Sequence, residues 1–222
     1  MRAEALLDAL AVLAPTTCSG CDAPDRALCP RCRAALSPSP REWTIAANPP
    51  LQVWAALDYG GPARRVLLAF KDGGRTDAAR ALARPLQAVV RSALAAGRPA
   101  TSGAGFVRLA SIPSTRAAYR RRGYHPVDLV LARAGLRTEH PLRIARQTAD
   151  QAGLGAAARN SNRGGSLRAQ ARVAGLDWLI VDDILTTGST LLEARRAILS
   201  AGGRVLGAAV IAHTALRRVE AR

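Results

Sequence analysis

The sequence has very little lysine, few aromatic residues and no long hydrophobic run. Lys71 is the one lysine among 32 basic residues, and aromatic residues make up 4% of the 222-residue chain. Charged residues, glycine or proline interrupt each apolar stretch well before the roughly 20 residues that a membrane-spanning helix needs. Four cysteines exclude a disulfide-dense small protein, and a hydrophobic share of 49% excludes a disordered chain. What remains is long enough for one full domain with a small appendage.

The charge balance is strongly basic. Basic residues outnumber acidic ones two to one, and the formal net charge is +16. Such an excess indicates an anionic partner: nucleic acid, a phosphorylated metabolite or a membrane surface. A biased genome composition replaces lysine by arginine, but it does not produce an excess of base over acid. Residues 108–172 contain thirteen arginines and three acidic residues, so most of the excess charge lies there.

The first 14 residues predict a short amphipathic helix, because their leucines recur at helical spacing. A secretory signal peptide is disfavoured, since Glu4 and Asp8 fall inside the segment that would have to be apolar. We therefore expect a cytoplasmic protein.

The cysteines form two Cys-x-x-Cys pairs separated by seven residues. Each pair lets two thiolates approach one ion from a tight turn, and two pairs complete a tetrahedral all-sulfur site. Two disulfides or a redox pair fit the expected compartment and the repeated motif poorly, whereas the spacing alone does not exclude an iron–sulfur cluster. We expect a structural zinc site. Its predicted ligands are Cys18, Cys21, Cys29 and Cys32.

From residue 51 onward, apolar runs of strand length alternate with helical patterns. This alternation predicts an α/β domain with a twisted, mostly parallel sheet flanked by helices. We divide the chain into residues 1–45, which hold the helix and the four-cysteine module with its linker, and residues 51–222, which form the main domain. The linker is expected to run through Pro49 and Pro50.

The most informative stretch is residues 179–190, with the sequence Leu-Ile-Val-Asp-Asp-Ile-Leu-Thr-Thr-Gly-Ser-Thr. An apolar strand delivers Asp182 and Asp183 to the carboxyl edge of the sheet, where open α/β folds bind ligands. The hydroxyl-rich loop that follows opens a helix, and backbone N–H groups at a helix N-terminus form a phosphate cradle. A strand end with a helix cap is the plainer alternative, but it does not explain the full pattern. The stretch predicts a sugar-phosphate site near a divalent cation.

This stretch resembles the signature of type I phosphoribosyltransferases, which bind 5-phosphoribosyl-1-pyrophosphate (PRPP) with Mg²⁺. The four-cysteine module ahead of it resembles the ComF-like family of competence proteins, and so do the arginines after Ile112-Pro113. The resemblance implies a type I phosphoribosyltransferase-like fold in which Asp182 and Asp183 are the catalytic acids that bind the ribose hydroxyls. By the same resemblance, the 5-phosphate is held by Thr186, Thr187, Gly188, Ser189 and Thr190.

The loop after Pro113 lies where this family binds pyrophosphate. Arginine suits pyrophosphate because its fork grips two oxygens at once, although a solvated basic face would give the same composition. The candidates are Arg116, Arg120, Arg121 and Arg122, with Lys71 and Arg75 as a second set. The sequence departs from the family in one place, since Tyr124-His125-Pro126 stands where many relatives have an aromatic residue followed by Asn-Gln.

Residues 146–172 form a long polar loop where the family has a mobile lid that closes over the site and excludes water. The lid residues expected to contact the site are Gln147, Gln151, Arg159 and Asn162.

Two functions follow from the resemblance. In the first, the protein binds Mg–PRPP and assists uptake of single-stranded DNA in natural transformation, beside a motor ATPase and DNA-processing proteins. Transfer of the ribosyl carbon to a nitrogen nucleophile of an unknown acceptor would accompany this role. In the second, the protein binds single-stranded DNA, and its PRPP pocket is vestigial or regulatory without turnover.

Overall fold

A computed structural model describes residues 16–24, 26–97, 106–145 and 165–214. The predicted N-terminal helix lies outside the described residues, and so do the lid candidates Gln147, Gln151, Arg159 and Asn162. Among the described residues, no helix is long and apolar enough to cross a membrane.

The molecule is built on a five-stranded sheet with the strand order β1-β2-β7-β6-β3. Strand β1 is antiparallel to β2, and the other neighbours in the sheet are parallel. A separate ribbon consists of the antiparallel strands β4 and β5. The strands are β1 (Arg41–Ile45), β2 (Leu51–Asp58), β3 (Arg108–Ser111), β4 (Leu142–Ile144), β5 (Leu167–Ala169), β6 (Asp177–Leu185) and β7 (Arg204–His213).

Helices cover both faces of the sheet. They are α1 (Pro30–Ala34), α2 (Gly61–Lys71), α3 (Ala79–Ala96), α4 (Arg116–Arg122), α5 (Pro126–Arg133) and α6 (Ser189–Ser200), with 3₁₀ turns at Thr76–Ala78 and Ala171–Val173. Alternate residues of β6 point to opposite faces, so Leu179 and Val181 join the hydrophobic core under α2, α3 and α5. Trp178 and Ile180 join a second core under α6 and the ribbon. The mixed α/β fold with a mostly parallel sheet confirms the predicted fold class.

The linker prediction is wrong for residues 41–45, which form strand β1. Trp43 and Ile45 pack against the second core, and their side chains lie on the same face because they are two residues apart. The strand escaped prediction because it is short, lies between prolines and owes its conformation to pairing with β2. Whether residue 45 also marks a domain boundary stays a prediction.

Candidate functional site

The candidate site lies where β3 and β6 end. These parallel strands are neighbours, with Ser111 opposite Val181, so the loops that follow them meet at one edge of the sheet. Together with Lys71 and helix α4, these loops line a cavity of about 340 Å³. This edge is where open α/β folds bind ligands, as the sequence pattern predicted.

The two acids of the motif both line this cavity. Asp183 is buried, and its Oδ2 lies 2.6 Å from Nζ of Lys71. Asp182 Oδ1 accepts a hydrogen bond of 2.8 Å from the backbone N–H of Asp183. Burial and the negative charge of Asp183 raise the pKa of Asp182 to about 7, although Lys71 acts in the opposite direction. The pair therefore combines a carboxyl group that contacts Lys71 with a carboxyl group that can keep its proton near neutral pH.

The loop after β6 is shaped as an anion cradle. It encloses a small cavity of about 70 Å³ lined by Asp182 and residues 184–191. Helix α6 begins at Ser189 and carries no acidic residue in its first turn, so its positive end faces the loop unopposed. Gly188 has φ +75°, and a Cβ at this position would collide with the side chain of Ile45 in β1. The left-handed backbone conformation therefore favours glycine here, and a larger residue would also have to displace the end of the Ile45 side chain.

The four pyrophosphate candidates are not placed alike. Arg122 lines the cavity with a side chain that is 10% exposed, and its Nη2 lies 3.3 Å from Asp72 Oδ1. Arg121 contacts the same carboxylate from the solvent side. Arg116 lines a neighbouring cavity of about 640 Å³, and Arg120 is exposed. The geometry thus favours Arg122 for the pyrophosphate role, which stays a prediction for all four arginines.

Of the second set, Lys71 reaches the acids and Arg75 does not. Arg75 points to the cysteine module, where it donates hydrogen bonds to the backbone oxygens of Thr17 (2.9 Å) and Ala27 (3.5 Å). Arg65 donates to the backbone oxygen of Gly20. The module is therefore fixed to helix α2 and the turn that follows it, the same region that supplies Lys71.

Sequence reasoning missed three contributors to the site. Asp72 holds Arg121 and Arg122, His125 lines both the 340 Å³ and the 640 Å³ cavities, and Ile45 presses on the phosphate loop. The one available signal was the polar Lys-Asp-Gly-Gly turn at residues 71–74. The contacts of Ile45 and His125 depend on the tertiary fold and leave no local pattern.

The four cysteines come together as a potential metal centre. Their Sγ atoms all lie within 4.8 Å of one another, and Cys21 and Cys29 are 3.7 Å apart. A tetrahedral zinc with Zn–S bonds of about 2.3 Å separates its sulfurs by about 3.8 Å, so the donor set fits this metal. Backbone N–H groups of Gly20 and Cys29 donate to Cys18 Sγ at 3.4 and 3.3 Å.

The thiol pKa values show why such a cluster needs a cation. Burial opposes ionisation of Cys18, but the backbone N–H groups outweigh it and lower the pKa to about 6. Burial and the neighbouring sulfurs raise the pKa of Cys32 to about 12. Without a positive ion, one thiolate suppresses the ionisation of another.

The ribbon on either side of residues 146–164 is attached to the helix that follows the phosphate loop. Glu193 of α6 is buried and accepts a hydrogen bond of 2.9 Å from the backbone N–H of Leu167. Arg196 pairs with Glu193 at 2.7 Å and donates to the backbone oxygen of Leu167 at 2.8 Å. The base of the predicted lid is therefore fixed to α6.

Comparison with known proteins agrees with this architecture. A family profile described as "Phosphoribosyl transferase domain" matches residues 119–221. The DNA utilization protein YhgH of Escherichia coli (strain K12) is 31% identical over 196 residues, which cover 84% of each chain. An orotate phosphoribosyltransferase of Pyrobaculum calidifontis is 55% identical over 40 residues, 18% of this chain and 21% of that protein. The chain belongs to the ComF-like family of type I phosphoribosyltransferase-domain proteins with an N-terminal cysteine cluster.

Among solved structures, the orotate phosphoribosyltransferase of Mycobacterium tuberculosis H37Rv is 17% identical to this chain. The match covers 82% of this chain and 84% of that chain, with a TM-score of 0.35.

Proposed function

We propose that this protein binds Mg–PRPP at the carboxyl ends of β3 and β6, and that it serves the handling of incoming single-stranded DNA. The observation that carries the first half is the joint placement of the acidic pair, Lys71 and Arg122 around one cavity beside the helix-capped phosphate loop. The second half rests on the relative named as a DNA utilization protein and on the net charge of +16. We place this role in the cytoplasm, beside a motor ATPase and DNA-processing proteins.

Each wall of the cavity has a separate task in this proposal. The loop Thr186–Thr190 holds the 5-phosphate through backbone N–H groups and hydroxyls, and the helix end supplies positive potential. Asp182 and Asp183 accept the ribose hydroxyls, which requires Lys71 to release Asp183. Bound Mg²⁺ offsets charge on the pyrophosphate, and Arg122 grips its oxygens on the opposite wall.

The test is a calorimetric titration of PRPP into the full chain with Mg²⁺. We expect micromolar binding that the double substitution Asp182→Asn/Asp183→Asn abolishes. Asp58→Asn is the matched control, because Asp58 is an exposed acid at the end of β2 outside this cavity. Absence of PRPP binding to folded wild-type protein contradicts the proposal.

The second candidate is a single-stranded-DNA-binding protein without phosphoribosyl transfer. The Lys71–Asp183 ion pair favours this second candidate, because Lys71 occupies a carboxylate that the sugar would need. The exposed position of Arg116 and Arg120, outside the cavity, favours it as well. Release of pyrophosphate tests whether phosphoribosyl transfer to an acceptor accompanies the first function. Transfer predicts acceptor-dependent release that fails in Asp182→Asn, whereas the second candidate predicts no release with any nitrogen nucleophile offered.

For the cysteine cluster we propose a structural zinc ion, with an iron–sulfur cluster as the alternative. The spacing of the sulfurs and the closed set of four thiols support it, since no ligand position is left for a substrate. Metal analysis of the purified protein tests this, with one zinc per chain as the expected result. A brown protein with iron and acid-labile sulfide contradicts it.

A further inference from the structure

We infer that helix α4 and the β4–β5 ribbon form a path for single-stranded nucleic acid, in which Tyr119 stacks on an unpaired base. The inference rests on the proposed role in DNA handling and names the surface that performs it. It adjoins the 340 Å³ cavity in which we propose that PRPP binds (the PRPP cavity), since residues 112–115 and His125 line both, and the PRPP cavity uses the opposite side of the same helix.

The first observation is the division of α4 into two faces. Ala118 and Arg122 point into the PRPP cavity. Arg116, Tyr119 and Arg120 are three and four residues apart, so they share another face, and all three are exposed. We refer to these three residues as the arginine–tyrosine face. Within the described part of the chain, neither arginine of this face has a carboxylate within 4.0 Å.

The second observation is the support under Tyr119. Its ring stacks on the imidazole of His125 with a centroid distance of 4.7 Å and an interplanar angle of 25°. Tyr119 is nevertheless 44% exposed. A tyrosine held from one side by a second ring, with arginines before and after it on the helix, has the features of a base-stacking platform. Base stacking on such a ring tolerates any sequence, because every base has a π-face.

The third observation is a like-charged pair on the ribbon. Arg143 of β4 and Arg168 of β5 are exposed and directly opposite each other in the ladder. Like charges directly opposite destabilise a strand pair unless an anion lies between or above them. No carboxylate among the described residues pairs with either arginine.

A cavity joins the two basic surfaces. It measures about 640 Å³ and is lined by Arg116 and His125 at one side and by Arg143 and Ile144 at the other. This volume falls in the usual range for sites that hold small organic ligands, so a nucleotide of the strand fits between Arg116 and Arg143. Duplex DNA does not enter such a cavity, because its bases are paired and stacked within the helix. The geometry therefore favours a single strand.

The test is binding of the full chain to two fluorescent oligomers of equal length, an oligothymidylate and an oligomer of abasic residues. Both carry the same phosphates, but only the first has bases to stack. We expect Tyr119→Ala to weaken oligothymidylate binding roughly 5- to 100-fold and to change abasic binding little. Tyr119→Phe, which keeps the ring, should bind like the wild type.

The ribbon is tested by Arg143→Ala/Arg168→Ala. This variant should weaken binding of both oligomers equally and reduce the slope of log affinity against log salt by about 1.4, because each arginine that neutralises a phosphate of a single strand adds about 0.7 to that slope. The matched control is Arg84→Ala/Arg91→Ala, which removes two exposed arginines from α3. The control should leave the slope close to the wild-type value.

Three outcomes overturn the inference. They are equal binding of both oligomers by the wild type, wild-type affinity in Tyr119→Ala, and tighter binding of duplex than of single strand. PRPP titration of the same preparations identifies what has failed. If the wild type and Tyr119→Ala bind single strands with equal affinity, the proposed DNA role stands, but its assignment to this surface is wrong. If the wild type binds PRPP but no single-stranded DNA, both the proposed DNA role and the inference about this surface are wrong.

Discussion

Strand β6 and helix α4 supply two walls of the same cavity, and they are built in opposite ways. Seven of the nine residues of β6 are buried, whereas α4 buries none. A buried wall fixes its two acids through the sheet on both sides, so this wall can define the position of a sugar phosphate. A solvated wall leaves two of its four arginines, Arg116 and Arg120, without a carboxylate partner among the described residues, so it can also serve a second anion outside the cavity.

The largest effect that we expect from this contrast is a difference in stability between alanine variants of two glycines that have nearly the same backbone conformation. Gly188 in the phosphate loop has φ +75°, and Gly123 at the end of α4 has φ +78°. A Cβ at Gly188 collides with Ile45, whereas a Cβ at Gly123 has no heavy atom within 4 Å. Both alanine variants bear the left-handed strain of about 1–2 kcal/mol. Gly188→Ala must in addition displace the end of the Ile45 side chain, which costs about 0.5–1.5 kcal/mol if Ile45 leaves its preferred rotamer.

Thermal unfolding and PRPP titration measure the difference between the two variants. For a chain of this size, roughly 2–4 °C of midpoint corresponds to 1 kcal/mol. Gly188→Ala should therefore unfold several degrees below Gly123→Ala and should also lose PRPP binding, because the cradle must shift. Adding Ile45→Ala to Gly188→Ala should recover part of the stability. Equal midpoints for the two glycine variants contradict the buried-wall interpretation.

The buried wall also carries a proton, which gives the second prediction. The pKa of Asp182 is raised to about 7 by burial and by Asp183, so the carboxyl is largely protonated below that pH in the ligand-free protein. Binding that needs both carboxylates must release this proton. PRPP affinity should therefore fall as the pH drops below about 7, by up to about tenfold per pH unit, and should level off above it.

Calorimetry in buffers of different ionisation enthalpy measures the proton released on binding. The control is Asp58→Asn, which changes an exposed acid outside the cavity and should show the same proton release and the same pH dependence as the wild type. The same raised pKa also determines how the free energy of unfolding of the ligand-free protein changes with pH. The unfolded acid loses its proton near pH 3.8, so the contribution of Asp182 to stability declines as the pH rises from there to about 7.

The contrast between the two walls also explains what the sequence could predict. The position of the acidic pair at the edge of the sheet and of the loop that opens helix α6 was predictable, because a buried strand, two acids and a hydroxyl-rich helix start follow one another within twelve residues. The cysteine cluster was predictable because its ligands are close in sequence. Helix α4 was not predictable, because its seven residues show no hydrophobic periodicity. The roles of its two faces depend on contacts with Asp72 and His125, which belong to other elements.

Two expectations from the sequence, the role of Arg75 and the linker at residues 41–45, were wrong for the same reason. Arg75 and Lys71 stand four residues apart in one polar turn, yet Lys71 meets Asp183 and Arg75 meets the cysteine module. Strand β1 lies between prolines, and its position over the phosphate loop depends on pairing with β2. In both places the decisive contact joins residues far apart in the chain, so no local pattern could reveal it.

The smallest expected effect is at Asp72, which tests whether the exposed wall is really adaptable. Asp72 is 50% exposed at its side chain and pairs with Arg121 and Arg122 at 3.3 Å. Exposed ion pairs of this kind contribute about 0–1 kcal/mol, so Asp72→Ala should leave the free energy of unfolding almost unchanged. Because the substitution removes a negative charge and releases Arg122, we expect PRPP affinity to rise by up to about fivefold, the equivalent of that energy.

The matched control for this prediction is Asp77→Ala, since Asp77 pairs with Arg75 beside the cysteine module and outside the PRPP cavity. It should leave PRPP affinity unchanged. If Asp72→Ala instead loses PRPP affinity at unchanged stability, Asp72 positions Arg122 for the ligand and does not compete with it. The arginine wall would in that case be ordered by one exposed carboxylate, and the two walls would differ in burial but not in preorganisation.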